Sequence, residues 1–144
     1  VAAAHALPRD FVLVARADGV MNGTYGMDEA LARVRAFDAA GADCLYVPVP
    51  PTTDDLRAVV AATAKPVNAL AAGPFTALSR EEFAAMGVAR ISLGSSLARV
   101  THRAIFDAAR TIFQGGDFRS LSQTISGSEV NALLIAGAAT NDRS

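Results

Sequence analysis

Cysteine is nearly absent from this 144-residue chain, and the lone Cys44 excludes an intrachain disulfide. Histidine is almost as scarce. His5 and His102 stand far apart without cysteine neighbours, so zinc-ligand spacing is missing, and neither has an acid partner in view, which makes both bystanders rather than bases. Neither sign of charge prevails: 13 basic residues scattered among 14 acidic ones leave a net charge of −1 and no electrostatic footprint for a polyanion. Nucleic acid is therefore not an expected partner. Long apolar runs are also lacking. Segments such as 11–15 and 130–139 fall short of the ~20 residues that span a bilayer, and no signal-peptide arrangement opens the chain. A soluble, cytoplasmic protein with no membrane partner is expected.

What the chain does have is 51% hydrophobic and 19% charged residues, the balance of a well-buried globular protein. Four short runs rich in branched residues, 11–15 (FVLVA), 44–47 (CLYV), 66–70 (PVNAL) and 90–93 (RISL), read as strands buried on both faces. Helical spacing fills the intervals. Residues 28–40 carry an apolar stripe of Ala30, Leu31, Val34 and Phe37, with Asp28 and Glu29 at the positive end and Gly41 as the stop. Residues 53–64 can be capped by Thr52 or Thr53, with Asp54 and Asp55 in the first turn and Pro66 beyond the end. A short helix follows Ser79, whose S-R-E-E stretch makes a capping box with Glu82 and which Gly87 closes. The longest helix, 95–114, ends before Gly115 and Gly116; 118–123 and 126–135 are two further helical stretches with Asp117 and Ser126 as caps.

Strands alternating with helices require a parallel sheet, because parallel neighbours need crossovers. Both an open doubly wound sheet and part of a (β/α)8 barrel satisfy the pattern. A closed barrel takes about 250 residues and eight strands. Four strands are found here, and residues 1–7 look like the tail of a preceding helix, as if the chain began mid-barrel. The expected layout is one incomplete barrel domain, with β/α units over 1–116, C-terminal helices over 117–136 and a frayed tail over 137–144. Such a piece would bare two strand edges, so an obligate covering partner, or further sequence, is expected.

Function in parallel β/α folds gathers at the C-terminal ends of strands. Arg16 and Asp18 close the first strand. The guanidinium fork suits a carboxylate or phosphoryl group, although the two residues can equally pair with each other as a structural ion pair. The glycine-rich 19–26 (GVMNGTYG) is either a gate or a surface turn. Val47, Pro48 and Val49 end the second strand without a titratable group. Asn68 can hydrogen-bond a substrate oxygen or be a satisfied buried amide, and the small residues 71–74 beyond it let a ligand approach the backbone. Gly94 and Ser95 open the longest helix, where an anion site and ordinary capping chemistry are both feasible. Cys44, with nothing basic beside it in sequence, reads as a buried structural thiol.

The stretches FVLVARADG, MDEALARVRAFDAAGADCLYVP, KPVNALA, EEFAAMGVARISLGSSLAR, GDFRSL and SEVNALL, in this order, resemble the C-terminal half of the isocitrate lyase and phosphoenolpyruvate mutase superfamily over residues 7–134. The mutase-like branch is the nearest in pattern. The resemblance implies an α/β fold in which parallel β/α units form the C-terminal half of a (β/α)8 TIM barrel with extra C-terminal helices. It further implies a Mg2+-dependent lyase or phosphonomutase-like parent acting on small α-keto or α-hydroxy carboxylates through an enolate. Arg16 matches the arginine of the family's A-R-T-D segment, which grips the substrate's anionic group; Ala17 replaces the threonine and Asp18 remains. The long helix and those after it are similar to elements that pack across subunits, so a homo-oligomer is implied. Pro48 and Val49 stand where the lyases carry a glutamate. The family's magnesium aspartates, oxyanion loop and gating loop belong to the other half of the barrel and have no match here, so this chain alone is expected to be inactive. A different class of function, a non-catalytic α/β module for oligomerisation or anion binding, stays open beside the enzyme.

Overall fold

The computed structural model describes residues 11–141, so the helix tail expected at 1–7 lies outside the described residues. The chain divides between Leu97 and Ala98 into two compact units. The first holds a four-stranded, wholly parallel sheet in the order β1 (Val14–Arg16), β2 (Cys44–Tyr46), β3 (Val67–Leu70) and β4 (Arg90–Ser92). Helices α1 (Met27–Ala39), α2 (Thr53–Ala61) and α3 (Arg80–Ala85) supply the crossovers.

Alternation along each strand separates two faces. Ala15, Leu45 and Val67 turn to the helices and pack with Ala30 and Val34 of α1 and Val59 of α2. A second cluster joins Leu56, Ala69, Phe75, Phe83 and Met86, with the two phenyl rings tilted and 6.4 Å apart. The other face carries the register row Arg16, Tyr46, Asn68 and Arg90, one residue from each strand. The sequence expectation of strands buried on both faces therefore holds for the central β2 and β3, whereas the edge strands β1 and β4 are partly exposed, and the face away from the helices is largely polar.

Local chemistry explains the boundaries. β1 was expected over 11–15 but begins at Val14, because the Leu13 amide donates to Asp43 Oδ2 at 2.8 Å and leaves Phe11 and Val12 outside the ladder with exposed side chains. α2 starts with a full capping box: Thr52 Oγ1 accepts from the Asp55 amide at 3.1 Å, and Asp55 Oδ2 accepts from the Thr52 amide at 3.0 Å. It stops short of Ala64, since Thr63 Oγ1 donates to Asp38 Oδ2 at 2.6 Å and draws the chain into a turn before Pro66. The box expected at Ser79 and Glu82 forms, and Gly87 follows with φ of 84°, a conformation few other residues adopt at low cost. Each cap of this kind contributes about 1 kcal/mol.

The glycine-rich 19–26 segment is a closed turn. Thr24 donates to the Gly19 carbonyl through its amide (2.8 Å) and its hydroxyl (3.3 Å), and Tyr25 lies so close over Gly19 that a Cβ there would overlap its ring. The small-residue loop after β3 winds into a 3-10 turn, Gly73–Ala77, which buries Phe75.

The second unit carries most of α4 (Ser96–Gly115), a 3-10 turn (Arg119–Ser122) and α5 (Gly127–Asn141). The segment 118–123, expected to be helical, is thus a single 3-10 turn. α5 runs past the expected end at Ile135, because Gly137 interrupts the run of helix-forming alanines only once. α4 buries none of its residues and exposes Leu97, Val100, Ile105, Phe106 and Phe113.

Candidate functional site

A cavity of about 370 Å³ lies over the polar face of the sheet, lined by Val14, Arg16, Tyr46, Leu70, Arg90, Ser92 and Gly94. The strand period of two brings them together: 14 and 16, 90 and 92 are i, i+2 pairs on one face. Arg16 is the last residue of β1. Its Nε donates to Asp18 Oδ1 at 3.1 Å, Nη2 stands 3.0 Å from the same oxygen, and the guanidinium lies 4.9 Å from the centre of the Tyr46 ring. Both partners are about half exposed, at 48% and 44% of their side chains, and such a pair contributes at most about 1 kcal/mol. The ion pair is thus formed while Arg16 still lines the cavity, and its Nη1 makes no hydrogen bond among the described residues.

Asn68 does not line the cavity. It is 1% exposed, on the same face, where Oδ1 accepts from Arg90 Nη1 (2.9 Å) and Nδ2 donates to Ser92 Oγ (2.9 Å). Ser92 in turn donates to the Ala69 carbonyl at 3.2 Å. Gly94 does line the cavity, with φ of 54°, and a Cβ there would sit 3.2 Å from Leu70 Cδ1. Ser95 is exposed and its side chain makes no hydrogen bond among the described residues; Ser96 instead donates to the Ala71 carbonyl at 3.2 Å. Arg16, Asp18 and Gly94 are therefore at or beside one cavity, Asn68 holds two of its lining residues, and Ser95 stands apart.

Sequence reasoning passed over Arg90, Ser92 and Tyr46. Their signal was the alternation inside RISL and CLYV, hidden because each run was treated as uniformly apolar. Burial pushes the Cys44 thiol up, against the smaller opposing pull of the Asn68 backbone and of Arg90, so it stays neutral at physiological pH. At the end of β2, Val49 takes φ of 46°, a strained value for a β-branched residue.

The magnesium implied by the sequence resemblance needs several hard oxygen ligands. Among the described residues no three acidic, histidine or cysteine side chains come together, and Asp18 is engaged by Arg16. The described residues by themselves therefore offer no ligand set for the ion. No described helix is long and apolar enough to cross a membrane.

The family model for phosphoenolpyruvate phosphomutase matches residues 1–113. The petal death protein of Dianthus caryophyllus is 31% identical over 128 residues, covering 87% of this chain and 40% of that protein. The chloroplastic carboxyvinyl-carboxyphosphonate phosphorylmutase of Arabidopsis thaliana is 29% identical over 129 residues, covering 87% and 38%. A Burkholderia cenocepacia J2315 structure, solved as a candidate lyase/mutase, superposes with a TM-score of 0.84 at 36% identity over 93% of this chain and 48% of the other. The chain thus spans less than half the length of each of these relatives. It belongs to the phosphoenolpyruvate phosphomutase family, within the isocitrate lyase and phosphoenolpyruvate mutase superfamily, and its four parallel β/α units are the C-terminal half of a (β/α)8 barrel.

Proposed function

We propose that this chain supplies the anion-gripping part of the active site of a lyase or phosphonomutase-like enzyme that acts on a small α-keto or α-hydroxy carboxylate. The observation that carries the reading is the cavity over the polar face, lined by Arg16, whose Nη1 makes no hydrogen bond among the described residues, and also by Arg90, Ser92 and Gly94. Preorganised donors of this kind hold a carboxylate or phosphoryl group, and stabilise negative charge that develops on an enolate next to it. The same lining provides no free general base and no activated nucleophile: Asp18 is paired and Cys44 is neutral. Proton transfer and bond cleavage therefore fall to groups outside these residues, and the chain alone is inactive. Ligands for Mg2+ are not provided by the described residues.

The exposed apolar residues of α4 support a homo-oligomer in which these helices are covered by another subunit. A cytoplasmic enzyme working on soluble carboxylates suits this reading.

The test is a turnover screen. The protein expressed from its own gene is incubated with 2-oxo and 2-hydroxy dicarboxylates and with 2-oxo phosphonates, and products are followed by proton and phosphorus NMR. Cleavage or rearrangement of a C–C or C–P bond in at least one substrate is expected. Failure across the whole panel, in a folded sample supplied with Mg2+, rejects the enzyme reading.

A further inference from the structure

Two guanidinium groups line the cavity, and they are not equivalent. Arg16 is held by the Asp18 carboxylate and stacked over Tyr46, so its charge is already partly compensated. Arg90 has no carboxylate within ion-pair distance among the described residues; its one hydrogen-bond partner is the neutral Oδ1 of Asn68, at 2.9 Å. Arginine has no acceptor atom, so this contact fixes the amide orientation: Oδ1 faces Arg90, and Nδ2 must face Ser92 Oγ, which passes its own proton to the Ala69 carbonyl. The three bonds run in one direction and hold the guanidinium at a set place on the cavity wall. Asn68 is buried and anchored within β3, so it is a rigid support.

A cation aimed into a concave site and left without a counter-charge is unfavourable once water is excluded, unless the ligand carries the missing charge. We propose that Arg90 binds the ligand's anionic group directly, as the uncompensated cation of the site, and that Asn68 is the positioning residue that aims it. The proposal rests on the functional reading above and deepens it. A ligand held by Arg90 and by the unused N–H groups of Arg16 is a compact carboxylate with a second anionic group.

Oxalate titrated calorimetrically into the protein expressed from its own gene tests this, with melting temperature recorded for each variant. Arg90→Met is expected to weaken oxalate binding about tenfold or more, and Arg90→Lys, which keeps the charge but loses the fork, by a smaller factor. Asn68→Ala is expected to weaken binding in the parent but to add nothing in the Arg90→Met background, a non-additivity that a general loss of stability would not produce. If Arg90→Met does not fold, Arg90→Lys carries the test, and parent-like affinity in it overturns the proposal. Unchanged affinity in Arg90→Met also overturns it, as it would if a carboxylate elsewhere in the protein already neutralised this arginine. Arg16→Met separates the two levels: weakened binding there with parent-like Arg90→Met rejects this inference alone, whereas parent-like affinity in both rejects the reading of the cavity as well.

Discussion

Replacing Arg16 with alanine lowers kcat/KM of the whole enzyme about 10²-fold or more, equivalent to roughly 2.7 kcal/mol of lost transition-state stabilisation. Two effects add. The substrate loses a guanidinium on the cavity wall, and Asp18 loses its partner, so a carboxylate is left to repel an anionic ligand. The second effect makes Arg16→Ala more damaging than removal of a neutral donor. Arg16→Lys keeps a charge near Asp18 but not the planar fork, and falls between the two. Steady-state kinetics on purified protein, with the melting temperature shown to be unaltered, is the measurement. An unchanged kcat/KM rejects the assignment of Arg16 as a substrate anchor.

The largest loss of stability is expected at Phe83. Its side chain is fully buried in the cluster with Leu56, Ala69, Phe75 and Met86, and its ring stands 6.4 Å from that of Phe75. α3, the six-residue helix that carries Phe83, is too short to persist by its own propensity, so this ring is its main attachment to the sheet. Phe83→Ala is expected to cost about 3–5 kcal/mol, through lost apolar burial and the cavity left behind. Set against a typical total of about 5–15 kcal/mol, this leaves little margin. Urea denaturation reads it as a lowered midpoint with an unchanged slope. A shift of less than about 1 kcal/mol would mean that the second core cluster is not a cooperative part of the fold.

The parallel sheet, the three crossover helices and the Ser79–Glu82 capping box were legible in the amino-acid sequence because each rests on local chemistry. Ser79 and Glu82 are three residues apart and need no tertiary contact to be recognised, whereas at Thr52 the cap was legible but its reciprocal bond from Asp55 was not. The shift of β1 to Val14 was not legible, since it depends on Asp43, thirty residues away, capturing the Leu13 amide. Arg16 and Asp18 could be seen as either an ion pair or an anion grip, and the two readings are compatible: the pair is formed, yet Arg16 lines the cavity and its Nη1 makes no hydrogen bond among the described residues. Arg90 escaped notice for a related reason. At the start of RISL it resembles a strand flank, and only the register that aligns it with Asn68, Tyr46 and Arg16 puts it on the site's face. Asn68 kept its two readings because a strand asparagine announces burial but not what lies beyond it. Its partners, Arg90 and Ser92, come from the neighbouring strand.

The account depends on the polar face of this four-stranded sheet being the inner wall of a barrel whose strand ends hold an anionic ligand. A crystal structure of the protein expressed from its own gene, grown with oxalate, tests that most directly. Oxalate is expected over the polar face of the sheet, within hydrogen-bond distance of the guanidinium groups of Arg16, at the C-terminal end of β1, and Arg90, at the start of β4. Density for it on the helix side of the sheet, or a polar face filled by packed side chains that leave no room at Arg16, would contradict the account.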